Sequence, residues 1–184
     1  NALVMLALDD RDSTVLSGSL PREVYLDQLN RFFYCMAGAV LKKGGEVLKY
    51  IGDAVLAIFP TASGAGEACR RALQAASLAA ERVKALNAAH PDAPPMRFGI
   101  GLHVGTVTYG NIGVPQRLDF TVIGTAANEA ARIESMTKEL DRELLASAAF
   151  AAHVPGTLIP AGRYRLKGLE GEYELFTVPP GGKL

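Results

Sequence analysis

Lys49-Tyr50-Ile51-Gly52-Asp53-Ala54-Val55-Leu56-Ala57-Ile58-Phe59 is the stretch that decides the fold. Two apolar runs, Glu46–Ile51 and Ala54–Phe59, flank Gly52-Asp53, a pattern that predicts a β-hairpin with a tight turn. Glycine tolerates positive φ, and aspartate hydrogen-bonds its own backbone. A carboxylate at such a tip is held rigidly, and Lys49 enters the same hairpin four residues earlier. Turns are also polar simply because they face water, and this stretch alone leaves both readings open.

Upstream, Leu3–Leu8 is a short apolar run that predicts a buried strand. It ends in Asp9-Asp10-Arg11-Asp12-Ser13-Thr14, where three carboxylates fall within four residues. Such a group repels itself unless a cation or donors sit among it, which points to a metal site. A solvated acidic loop with Ser13 or Thr14 capping a helix is the plainer alternative. Arg22–Leu41 carries a helical apolar period and stops at Lys42-Lys43-Gly44-Gly45, with Pro21 placed for its start.

Downstream, a second helix is expected from about Gly64 to Ala89, then a turn-rich break at His90–Pro95. Arg97–His103 and Thr106–Asn111 read as strands around Gly105, with Pro115–Phe120 a connection. Gly124–Thr137 reads as helix with Thr125 as its cap, and Glu139–Phe150 as weaker helix. Gly162–Lys167 and Tyr173–Val178 read as a closing hairpin around Gly168–Gly171. Several neighbouring strands are joined by tight turns, so the sheet is expected to be mixed and largely antiparallel, with helices packed on it: an α+β fold.

With 184 residues, 49% of them apolar, the chain is about one domain with a real core. Residues 1–2 look like a cloning remnant, 3–178 form the domain and 179–184 a tail. Nineteen basic residues balance nineteen acidic ones, so no nucleic-acid or membrane surface is indicated. No apolar run approaches the roughly 20 residues that span a bilayer. Cys35 and Cys69 lie far apart without a Cys/His cluster, as expected of buried thiols in a cytoplasmic protein.

One further pair carries chemistry. Asn128 and Arg132 are i and i+4 on a helix and share a face. As structure, they make a solvated polar face, with Arg132 pairing to Glu129 or Glu134. As chemistry, an Asn and an Arg aimed at one point suit a sugar oxygen and a developing phosphoryl charge. His103, in a strand among glycines, reads as a hydrogen-bonded structural histidine. Tyr50, Tyr109 and Phe120 read as core or interface rather than a base-stacking platform.

Taken in order, Asp9 with Thr14, Lys49-x-x-Gly52-Asp53, Arg97-Phe98-Gly99-Ile100-Gly101-x-His103-x-Gly105, Gly110-Asn111-Ile112-Gly113, Thr121-Val122-Ile123-Gly124-x-x-x-Asn128-x-x-Ala131-Arg132 and Arg165-Leu166-Lys167-Gly168 resemble the catalytic domain of a class III nucleotidyl cyclase, from about Leu3 to Val178. The resemblance implies a ferredoxin-like βαββαβ core and a head-to-tail homodimer with active sites at its interface. It implies that Asp9 and Asp53, with the backbone carbonyl of Asp10, hold two Mg²⁺ or Mn²⁺ ions. Lys49 and Thr121 match the pair that reads the purine, and Lys167 matches a lysine that reaches the triphosphate. Asn128 and Arg132 match the pair that positions the ribose and stabilises the transition state. Lys49 donating to adenine N1 and Thr121 accepting from the exocyclic amine suit ATP over GTP. The implied reaction is ATP to cyclic AMP and pyrophosphate, in a cytoplasmic domain with an upstream regulatory or sensor segment. Asp10 and Asp12 depart from the family's pattern, adding charge where backbone N–H groups cradle phosphates. That departure supports the alternative, a catalytically weakened cyclase-like domain that binds nucleotide or pairs with a signalling partner.

Overall fold

Strand β1, Ala2–Asp10, is the axis of the structure. The computed structural model describes the backbone of residues 2–10, and residues 18 and 20–182 in full. Strand β1 pairs antiparallel with β3 (Ala54–Pro60) on one side and with β4 (Phe98–Thr106) on the other. Beyond β3 lies β2 (Glu46–Ile51), and beyond β4 come β7 (Leu144–Ser147), β9 (Tyr173–Thr177) and β8 (Ile159–Tyr164). Order β2-β3-β1-β4 is the expected ferredoxin-like core, and β7, β9 and β8 extend it. Of the sheet's neighbouring pairs only β4 with β7 is parallel. The quoted hairpin forms where expected, with Gly52 at φ 59°.

Helix α1 (Arg22–Lys42) buries Phe32, Cys35, Met36, Ala39 and Val40, the 3- and 4-residue spacing of one helical stripe. Helix α2 (Ala65–Ala89) buries Ala68, Cys69, Ala72, Ala75, Ala76, Ala79, Ala80 and Val83, and the alanines let its backbone approach closely. Both helices cover one face of the sheet. There Val55, Ala57 and Phe59 of β3, Phe98, Ile100 and Leu102 of β4, and Leu144 and Ala146 of β7 join them in the main core. Cys35 and Cys69 are buried free thiols, and burial raises both, Cys69 to about 11.

The other face carries α3 (Thr125–Glu139). Alternation along the strands turns Leu56 and Ile58 of β3 to this side, where they meet Ala126 and Ala130 of α3. Strands β5 (Thr108–Val114) and β6 (Arg117–Ile123) form a separate two-stranded ribbon.

Four expectations need correction. Residues 115–120 are not a connection: only Pro115 and Gln116 turn, and Arg117–Ile123 is strand β6 in register with β5. Residues 139–150 are not one helix. They contain β7 and the short helix α4 (Ala148–Ala151), because a four-residue apolar run does not tell strand from helix by its period. Strand β4 runs through Gly105 to Thr106. Thr125 is the first helical residue of α3, and Gly124, at φ 142°, stands in the cap position without a side-chain bond.

Candidate functional site

Two carboxylate residues meet at one end of the sheet. Asp9 stands opposite Ala54 on β3 and Gly99 on β4, and Asp53 is the turn residue next to Ala54. Neighbouring strands lie about 4.7–4.9 Å apart, so the backbones of Asp9 and Asp53 are side by side. Partners across a ladder share a face, and Gly99 lies under α3, so Asp9 occupies a position on the α3 face. Asp10 stands opposite Phe98, whose ring belongs to the core under α1 and α2. Its register position therefore falls on the opposite face. Asp12, Ser13 and Thr14 lie outside the described residues. Oxygen donors from aspartates and a carbonyl match the hard cations Mg²⁺ and Mn²⁺.

Lys49 reaches the α3 face through a bulge. Val47 stands opposite Ala57, but Lys49, two residues on, stands opposite Leu56, so Leu48 is the extra residue. Without it, strict alternation would keep Lys49 on the side of Val47, towards α1 and α2. With it, Leu48 and Lys49 both belong to the α3 side, Leu48 against Leu56 and Lys49 exposed. Tyr50 is returned to the other side, where its ring packs 4.9 Å from that of Phe33. A one-residue bulge thus places Lys49 on the α3 side and Tyr50 against Phe33 on the other.

Helix α3 rests on β4 along a stripe of small residues. A Cβ on Gly101 would lie 2.7 Å from both the Ala130 oxygen and the Glu134 nitrogen, and one on Gly105 would collide with Ala126. Residues 126, 130, 133 and 137 form the inner side, all buried. At 100° per residue, Asn128 and Arg132 fall on the opposite side, pointing away from the sheet. Within one chain they do not face Asp9 and Asp53. Asn128 is exposed and Arg132 half-buried, and the Nε of Arg132 is buried without a hydrogen-bond partner.

Thr121, half-buried, stands opposite Gly110 on the β5–β6 ribbon. Val122 next to it packs with Leu48 against the cluster under α3, which ties the ribbon to the sheet. Tyr109 and Phe120 have ring centroids 6.0 Å apart on the same ribbon. Ile112, Val114, Leu118 and Ile123 leave it with a large uncovered apolar surface. Lys167 is exposed, just past buried Leu166 at the end of β8.

The sequence reading missed Glu129. It lies not with Arg132 but 2.5 Å from His103 Nε2. His103 Nδ1 is 2.8 Å from Ser147 Oγ, and that oxygen accepts from the Phe150 N–H at 3.2 Å. Burial lowers the imidazole's pKa, and the charge and hydrogen bond of Glu129 offset this in part. A glutamate one residue from Asn128 and a histidine among glycines were the available signals; nothing in the sequence linked them.

The family model described as adenylate and guanylate cyclase catalytic domain matches residues 5–177. An adenylate cyclase of Anabaena cylindrica is 35% identical over 150 residues, 78% of this chain and 29% of the relative. Adenylate cyclase 1 of Rhizobium meliloti (strain 1021) is 31% identical over 174 residues, 90% of this chain and 25% of the relative. The chain thus spans under a third of the length of these curated relatives. Among solved structures, the adenylyl cyclase CyaB of P. aeruginosa superposes with a TM-score of 0.81 at 26% identity, over 97% of this chain and 94% of that one.

Proposed function

The chain belongs to the family of adenylate and guanylate cyclase catalytic domains, and from that premise we propose that it converts ATP to 3′,5′-cyclic AMP and pyrophosphate, at sites shared between the two copies of a head-to-tail homodimer. The observation that carries the proposal is the strand register that sets Asp9 and Asp53 side by side at the turn end of the sheet. Asp9, Asp53 and the Asp10 carbonyl would hold two Mg²⁺ or Mn²⁺ ions. Such ions, when bound, acidify an attacking hydroxyl and neutralise phosphate charge.

The chain's own residues do the rest. Arg132 donates to the α-phosphate as charge grows on it. Asn128, four residues before it on the same side of α3, holds the ribose so that the 3′-oxygen lies in line. Lys49 donates to adenine N1, and Thr121 accepts from the exocyclic amine. A neutral hydroxyl discriminates less sharply than a carboxylate, so some GTP is also turned over. Lys167 adds positive charge for the triphosphate.

Asn128 and Arg132 point away from the sheet on which Asp9 and Asp53 of their own chain sit, which supports pairing them with the aspartates of a second copy. The uncovered apolar residues of the β5–β6 ribbon supply surface for that copy. The described residues include no helix long and apolar enough to cross a membrane; in a longer protein we place this domain in the cytoplasm, downstream of a regulatory segment.

The test is incubation with Mn²⁺ and ATP or GTP, followed by detection of cyclic product. Cyclic AMP is expected as the main product. Nucleotide bound without product from either would instead support the weakened, partner-pairing alternative. For the shared site, Asp53→Ala and Arg132→Ala are each inactive alone, and mixing them restores about one working site per mixed dimer. A mixture no more active than its components refutes sharing.

A further inference from the structure

Helix α3 carries the two side chains assigned to the reacting groups. Its second half packs Ile133 and Met136 among Leu145, Leu166 and Leu175, but against β4 its first half rests on an almost bare strand. Gly101 and Gly105 present no side chain, and the helix answers with Ala130 and Ala126, while Gly99 lies under Thr137 and Glu134. Small residues allow a close approach, but along the first half of α3 they do little to fix its rotation, which Ile133 and Met136 hold only from the second half. Side chains reach about 5–6 Å from a helix axis, so a 10° turn moves their tips by about 1 Å. A misplacement of that size costs on the order of 100-fold in rate.

One side chain interrupts the smooth stripe. His103 lies between Gly101 and Gly105 on the same face of β4 and is 7% exposed. Both its ring nitrogens are engaged, Nε2 by Glu129 of α3 and Nδ1 by Ser147 at the end of β7. The network fixes the tautomer. A carboxylate only accepts, so Nε2 carries the hydrogen, and Nδ1 accepts from the Ser147 hydroxyl. The Ser147 oxygen accepts from the Phe150 amide at the start of α4. The bonds run without a break from the backbone of α4 through β7 and β4 to α3. The facing groups are thus a carboxylate from α3, a hydroxyl from β7 and a backbone amide from α4.

Glu129 is the residue after Asn128 and three before Arg132. We propose that the Glu129–His103–Ser147 chain is a positioning device that fixes the rotation of α3 and so aims Asn128 and Arg132 at the nucleotide. This rests on the role given above to those two residues. His103 acts through the helix and touches no substrate.

The test uses the two amides that divide the imidazole between them. In His103→Gln the amide nitrogen stands where Nε2 stood and still meets Glu129. In His103→Asn it stands where Nδ1 stood, meets Ser147 and leaves Glu129 without its partner. Steady-state turnover with Mn²⁺ and ATP is measured in the whole chain, beside thermal melting. We expect kcat of His103→Gln within about threefold of the parent, and kcat of His103→Asn lower by on the order of 30-fold, with KM nearly unchanged in both. Glu129→Ala should lose as much as His103→Asn, and the double variant no more than either. Equal kcat in the Gln and Asn variants, or melting shifts with kcat unchanged, overturns the proposal. Arg132→Ala separates the two levels. If it loses turnover while His103→Asn does not, only the positioning role falls. If Arg132→Ala, or the parent's own lack of product, shows that Arg132 serves no turnover, the assigned catalytic role falls and the positioning role falls with it.

Discussion

Along β4 the two faces of the seven-stranded sheet are built on opposite rules. Under α1 and α2 the strands present Val55, Phe59, Phe98, Ile100, Leu102 and Leu144, met by Phe32, Met36 and Phe150. Large side chains interlock there, and their burial supplies most of the stability. Under α3, β4 presents three glycines and one histidine, and the helix lies almost on the strand's backbone. Along β4 that face gives up apolar volume and gains a close approach, while Ile133 and Met136 pack among Leu145, Leu166 and Leu175 further along the helix. The same strands therefore carry the main core on one face and the proposed site on the other, divided by the two-residue period.

Variants that act on one face only should separate the two roles. Phe59→Ala empties a fully buried site on the first face and should cost about 3–5 kcal/mol of stability. Denaturant titration checks the loss, and the fraction still folded should keep its turnover per molecule. A drop in kcat per folded molecule would mean that the faces are not independent. Arg132→Ala should do the reverse: turnover falls on the order of 100-fold, about 2.7 kcal/mol of activation free energy, while the melting temperature barely moves.

Gly101→Ala should affect both properties, because its Cβ meets the backbone of α3 at Ala130 and Glu134. A cost of about 1–3 kcal/mol in stability, with lowered kcat, is expected from pushing the helix outward. Wild-type values for both would show that α3 shifts without consequence.

The smallest effect concerns pH. His103 has its pKa lowered below the ordinary 6.5, first by burial, so the unfolded chain binds its proton more readily. Its contribution is complete above pH 6.5 and is lost as pH falls through the folded value. The parent should therefore lose stability on acidification in that range, and His103→Gln should lose less. Parallel pH profiles from parent and variant would remove His103 as the cause.

Much of the scaffold was legible in the sequence because its signals are local. Gly52-Asp53 between apolar runs specifies a hairpin, and Phe32 to Val40 at helical spacing specifies a buried stripe. Strands β6 and β7 were not legible. The Pro115-Gln116 turn looked like the start of a longer loop, and Leu144–Ser147 is too short for its period to speak. Of the site, residue types and order were readable along the chain, including the outward pair Asn128 and Arg132. The Leu48 bulge that carries Lys49 onto the α3 face was not.

By itself the sequence determined which residues are present to do chemistry and which turns and helices hold them, since those depend on neighbours a few positions away. Tertiary structure alone decided which faces they share. A face changes with every one-residue shift of register, and register is set by partners far along the chain: Asp9 against Ala54, Lys49 against Leu56, His103 against Glu129 and Ser147.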